Sequence, residues 1–254
     1  MKIGVQLYTL RDFCKDTQSL SETLKKVADM GYTTVQLSGI CAYDPEWMAG
    51  QLKENGLTCP LTHTSPDRIA DDTMKVIEEH RIFGCSNIGI GCSNIYEDRE
   101  KFDSFVKRFK EPAKVLKENG MYLMYHNHNL EFNQYDDSDK IVLEMLCEAF
   151  SPDELGITLD TFWVQAGGGD PVWWIHHLKG RTPCIHLKDL AYRKSNDLTM
   201  LPVGSGNMNF EAILAACEDE KVQYGLVEQD VCNGRDPFDC IKDSYDFLKS
   251  FGLN

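Results

Sequence analysis

The chain has 254 residues, of which 42% are hydrophobic and 26% charged, a composition that supports a large core and excludes a disordered chain. Its formal charge of −14 opposes a phosphate backbone, because nucleic-acid binding rests on neutralising phosphates with Lys and Arg, so no nucleic-acid partner is expected. No apolar run is long enough to span a bilayer and Met1-Lys2-Ile3-Gly4 enters a strand-like stretch directly, so no membrane partner and a cytoplasmic location are expected.

Short β-rich runs recur along the chain, each followed by a longer segment of helical spacing, which is the pattern of parallel βα units. Strands are predicted over residues 3–7, 34–37, 58–62, 87–90, 121–126, 156–159, 183–186 and 224–227. After the first, Leu20, Leu24 and Val27 recur at three and four as an amphipathic helix requires, and Gly31 follows as a stop. Val115 and Leu116 before Asn119-Gly120, Ile213 and Leu214 before Val222, and Ile241, Tyr245 and Leu248 near the end repeat that grammar. Eight such units need about 250 residues, so the predicted fold is α/β, a single (β/α)8 TIM barrel filling residues 1–254 as one domain. The ten cysteines are scattered without a C-x-x-C pair and read as reduced packing residues. The longest irregular stretch, residues 187–208, is a candidate lid.

In such a barrel the catalytic groups come from the carboxyl ends of the strands. Strand three ends in Thr62-His63-Thr64, strand five in His126-Asn127-His128 with Glu131 shortly after, and strand six in Asp160. Strand seven ends in His186, Lys188 and Asp189, and strand eight in Glu228 and Asp230. Any one of these residues is ordinarily a helix cap or a satisfied surface group. Gathered at one rim, they would repel and desolvate one another unless a cation sat among them, and a divalent metal is the simplest cation. A mostly oxygen ligand set with imidazole suits manganese, magnesium or cobalt, and zinc also accepts it.

These stretches resemble the xylose isomerase-like TIM barrels of the sugar phosphate isomerase/epimerase superfamily. The matching segments are Gly4-Val5-Gln6-Leu7-Tyr8-Thr9, Tyr125-His126-Asn127-His128-Asn129-Leu130-Glu131-Phe132, Leu159-Asp160-Thr161-Phe162-Trp163, His186-Leu187-Lys188-Asp189, Val203-Gly204-Ser205-Gly206 and Val227-Glu228-Gln229-Asp230. The resemblance implies a metal held by a Glu at strand five, Asp160, His186 and Glu228. At strand five the expected Glu is replaced by His126, so the displaced Glu131 is the expected fourth ligand and His126 the competing one.

A metal chelated by adjacent carbonyl and hydroxyl oxygens of a sugar would stabilise the enediolate formed when the neighbouring C–H loses its proton. The resemblance implies Glu228 or Glu131 as the base, and His128 is the alternative, favoured because metal-bound carboxylates titrate too low; Lys188 is a candidate for stabilising an oxyanion, unless it simply pairs with Asp189. His63, His126 and Trp163 are candidate substrate contacts, whereas Trp173 and Trp174 are expected to pack between helix and barrel. Gly204-Ser205-Gly206 offers either a phosphate-facing backbone or a tight turn. The expected function is therefore a metal-dependent sugar isomerase or epimerase acting on a small molecule. A lyase eliminating from a 3-oxo-sugar shares its first step, as in the related inosose dehydratases. An apurinic-site endonuclease and a non-catalytic sugar-binding barrel are the weaker rivals. A homo-oligomer or a partner subunit is an expectation from the resemblance alone.

Overall fold

A computed structural model describes residues 1–192 and 197–254. Its strands are β1 (Lys2–Gln6), β2 (Thr34–Gln36), β3 (Leu61–His63), β4 (Asn87–Ile90), β5 (Tyr122–His126), β6 (Leu155–Asp160), β7 (Cys184–Leu187), β8 (Asp189–Tyr192), β9 (Leu198–Leu201) and β10 (Tyr224–Val227). Its helices are α1 (Thr17–Asp29), α2 (Pro45–Glu54), α3 (Pro66–Asp71), α4 (Thr73–Ile82), α5 (Arg99–Glu118), α6 (Val142–Ala149), α7 (Thr161–Ala166), α8 (Pro171–His177), α9 (Phe210–Asp219) and α10 (Pro237–Ser250). Local chemistry starts several of the helices. Asp16 and Ser19 form a reciprocal cap on α1, and Pro occupies the first turn of α2, α3, α8 and α10, where its missing N–H costs nothing.

Eight parallel strands pair in the order β2-β1-β10-β7-β6-β5-β4-β3. Parallel bridges from Thr34 to Thr58 and from Leu37 to Thr62 join the two ends, giving the predicted (β/α)8 barrel. The strands agree with expectation in number and order but differ at their ends. The third is the clearest case: Pro60 lacks a ladder donor, and β3 runs from Leu61 to His63 instead of over 58–62. The stretch after β7, expected as an irregular lid, contains instead the antiparallel hairpin β8-β9, with Asp189 opposite Leu201 and Tyr192 opposite Leu198. Its connecting residues 193–196 lie outside those described.

Strand parity sends alternate residues inward. Leu61, Met124, Cys184 and Leu226 form a buried apolar floor inside the barrel. Gly156 belongs to this packing, because a Cβ there would lie 2.5 Å from Sδ of Met124. Two residues further along, the inward positions turn polar: Gln6, Gln36, His63, His126, Thr158, His186 and Glu228 follow Gly4, Thr34, Leu61, Met124, Gly156, Cys184 and Leu226 by two. The outer ring of helices packs on the outward side chains, with Leu20, Leu24 and Val27 of α1 fully buried. Trp174 is buried as expected, whereas Trp173 is half exposed and stacks on His177.

Candidate metal centre

The carboxyl ends of β5, β6, β7 and β10 bring His126, Asp160, His186 and Glu228 together, with one ligand-type atom from each lying within 4.8 Å of all the others. Register explains the convergence. Asp160 pairs with His186 and Leu226 pairs with His186, so Glu228, two residues past Leu226, faces the same way one level higher. All four are buried.

Each of the four is anchored through one atom and presents another to the common centre. His126 donates through Nδ1 to the Gly91 carbonyl at 3.0 Å, leaving Nε2 toward Asp160 at 3.2 Å. His186 is tied through Nε2 to Oε1 of Gln36 at 2.7 Å, and its Nδ1 is buried without a hydrogen-bond partner, 2.9 Å from Oε2 of Glu228. Glu228 accepts from Nε2 of Gln6 through Oε1 at 3.1 Å and turns Oε2 toward the centre, where it faces Nδ1 of His186 and Nζ of Lys188. Asp160 caps α7 by accepting from the Trp163 amide at 3.0 Å through Oδ1, and turns Oδ2 inward. Imidazoles held by their far nitrogens, with one oxygen of each carboxylate turned between them, are what a divalent ion requires of its ligands. The donor set of two imidazoles and two carboxylates therefore fits such an ion.

Glu131, expected as the fourth ligand, stands apart from this cluster. It is buried, but Oε1 accepts from the Tyr125 hydroxyl at 2.6 Å and Oε2 from the His128 amide at 2.7 Å. The carboxylate ties down the loop after β5 and has no free oxygen aimed at the centre. His126, the competing ligand, occupies the fourth corner instead.

Lys188 reaches the same oxygens. Its Nζ is 3.2 Å from Oδ2 of Asp160, 3.0 Å from Oε2 of Glu228 and 3.0 Å from Oδ2 of Asp230, and its side chain is 1% exposed. Burial disfavours the ammonium, yet these three carboxylates outweigh it and hold Lys188 protonated well above the ordinary range. For Asp160 and Glu228 burial again works against the charge, and Lys188 with the two imidazoles keeps both ionised. Lys188 therefore does not pair with its neighbour Asp189. That carboxylate accepts instead from the amides of Leu190, Gly204, Gly206 and Met208, which engages the Gly204-Ser205-Gly206 backbone within the protein rather than leaving it open to a phosphate.

Above the cluster lies a cleft of about 370 Å³ lined by Gln6, Tyr8, His63, His128, Lys188 and Asp230 among others. His63 bonds through Nδ1 to Oγ of Ser38 at 3.1 Å, while its Nε2 is buried and unpartnered. The His128 ring stands edge-on to His126 at 4.6 Å and 5.5 Å from Trp163. Burial, assisted by His126, lowers its pKa to about 3, so it is a neutral but weak base. The Trp163 ring lies 5.3 Å from Nζ of Lys188. A larger cavity of about 530 Å³ opens at the amino-terminal end of the barrel, but the four-residue group at the opposite rim is the one metal-ligating cluster found among the described residues. Gln6 and Gln36 were given no role by sequence reasoning, and Asp230 only a place among the polar groups of the rim. Their signal was parity: each falls on an inward position at or just past a strand end.

The family of xylose isomerase-like TIM barrels matches residues 24–251, and the chain belongs to that family. It is similar to the inosose dehydratase of Geobacillus kaustophilus, 23% identical over 203 residues, which are 70% of this chain and 64% of that protein. The chain thus spans less than two thirds of that relative's length. It is also similar to the 2-oxo-tetronate isomerase of Pectobacterium atrosepticum, 25% identical over 225 residues, covering 80% of this chain and 82% of that protein. Among solved structures, a sugar phosphate isomerase/epimerase from Parabacteroides distasonis matches with a TM-score of 0.80 at 20% identity over 98% of this chain and 93% of that one, a likeness of fold. No helix among the described residues is long and apolar enough to cross a membrane.

Proposed function

We propose that the protein is a divalent-metal-dependent isomerase or epimerase that moves a proton from a sugar carbon beside a carbonyl. The convergence of His126, Asp160, His186 and Glu228, each with one atom anchored and another turned to the common centre, carries this reading. A bound manganese, magnesium, cobalt or zinc ion would polarise adjacent carbonyl and hydroxyl oxygens and so acidify the C–H between them.

The chain's own groups supply the rest. His128 is unprotonated at neutral pH and lines the cleft, so its ring is the proposed proton acceptor, with Oε2 of Glu228 the alternative. Lys188 is proposed to stabilise negative charge that develops on the substrate's oxygens, since the surrounding carboxylates favour its ammonium form despite its burial. His63 and Trp163 are proposed as contacts that orient the sugar, His63 through its unpartnered Nε2.

Similarity to an inosose dehydratase favours a second reading, in which the same first proton removal is followed by loss of a leaving group from a 3-oxo-sugar. Incubation of the metal-loaded protein in deuterium oxide with a panel of keto-sugars and 3-oxo-glycosides tests both. Deuterium entering the carbon beside the carbonyl with no fragment released supports isomerisation, whereas release of water or an aglycone supports elimination. No exchange from any member of the panel would contradict proton transfer altogether.

A further inference from the structure

We infer that Asp230 makes this cleft selective for an uncharged polyhydroxy ketone and against phosphorylated or carboxylated sugars. The inference deepens the proposed metal-dependent proton transfer and rests on it.

Asp230 sits two residues past Glu228 and lines the cleft. Its Oδ2 accepts from Nζ of Lys188 at 3.0 Å, while its Oδ1 is buried with no partner. Its backbone is fixed as well, because the Asp230 carbonyl accepts from the Arg11 guanidinium at 3.0 Å. A desolvated carboxylate oxygen needs a donor, and a substrate hydroxyl provides one. A phosphate or carboxylate brings only acceptors and a like charge, which such an oxygen repels.

The charge balance leads to the same conclusion. Asp160, Glu228 and Asp230 are the carboxylates around the centre, and the Lys188 ammonium together with a divalent ion would neutralise all three. Among the described residues lining the cleft, Lys188 is the sole Lys or Arg, so no positive charge is left over for an anionic substrate. Nor do Gly204 and Gly206 offer amides to a phosphate, since Asp189 holds both.

The test uses the full chain, metal-loaded, as wild type, Asp230→Asn and Asp230→Glu, titrated calorimetrically with inorganic phosphate at about pH 8, where side-chain carboxyls are ionised. Metal content and melting temperature are recorded for each protein. Phosphate is expected to bind Asp230→Asn at least about tenfold more tightly than wild type, with Asp230→Glu restoring the exclusion. In the exchange assay, neutral ketoses are expected to react with the wild type and their phosphate esters not to. Equal phosphate affinity in wild type and Asp230→Asn, with metal content intact, would overturn the role of Asp230 alone. Exchange from a phosphate ester at a rate matching its neutral parent would do the same. A wild type that takes up no metal would instead overturn the functional reading and this inference with it.

Discussion

Nε2 of His186 lies 2.7 Å from Oε1 of Gln36, and this bond selects the imidazole nitrogen that faces the carboxylates. An amide oxygen can only accept, so Nε2 carries a proton and Nδ1 is the ring atom that faces Asp160 and Glu228, where its lone pair would be available to a cation in place of a proton. Gln36 comes from β2, across the barrel from β7, and is fully buried.

Replacing that acceptor should therefore weaken metal binding without touching a ligand. Gln36→Leu is expected to lower affinity for a divalent ion by about 10- to 100-fold, as loss of a hydrogen-bond partner behind a metal-bound histidine commonly does. Titration against a metal buffer measures it. Wild-type affinity in the variant would show that the His186 ring is oriented by packing alone.

A second prediction concerns acid. His80 is buried, donating through Nδ1 to the Val76 carbonyl at 2.7 Å and accepting at Nε2 from the Thr62 hydroxyl at 2.9 Å. Burial lowers its pKa to about 4, despite the opposing bond to Val76. Between the ordinary value of 6.5 and about 4 the unfolded chain takes up a proton that the folded one refuses. The contribution is thus present in full above 6.5 and is lost as pH falls toward the folded value, on the order of 3 kcal/mol in total. His63 and His128, also lowered mainly by burial, act in the same direction. Urea midpoints are expected to drop between about pH 7 and pH 5, and to drop less in His80→Gln. Identical slopes for the two proteins would rule out this account of His80.

The loop leading to α9 supplies a third. A Cβ on Gly206 would lie 2.3 Å from Oδ1 of Asp189 and 2.6 Å from the Leu190 carbonyl, so only glycine lets the backbone close on that carboxylate. Asp189→Ala leaves the amides of Gly204, Gly206 and Met208 without their acceptor, at about 1–3 kcal/mol for each that stays buried. Both Gly206→Ala and Asp189→Ala are expected to lower the melting temperature by several degrees. An unchanged melting temperature in both would show that these bonds add little to stability.

Much of this was legible in the chain itself. The alternation of β-rich and helical segments predicted the barrel, and the polar residues at strand ends pointed to one rim. His126 shares inward parity with Tyr122 and Met124, so its place in the cluster could be read from period two. The placing of Glu131 away from the cluster could not be read from the chain, because its contacts with the Tyr125 hydroxyl and the His128 amide are made only when the loop curls into a 3-10 turn at Leu130–Phe132. The hairpin β8-β9 was hidden because Asp189–Tyr192 follows β7 after the single residue Lys188, so the two strands read as one strand end with its loop. Gln6 and Gln36 drew no attention because amides carry no charge to suggest chemistry. Their role depends on which neighbour faces them, which is a property of register between strands.

Metal content of the purified protein tests the central claim most directly, comparing wild type with His126→Ala and Glu131→Gln by elemental analysis after identical loading. The account predicts close to one divalent ion per chain in wild type and in Glu131→Gln, and little in His126→Ala. Loss of metal from Glu131→Gln with retention in His126→Ala would contradict it, and so would a wild type that binds none.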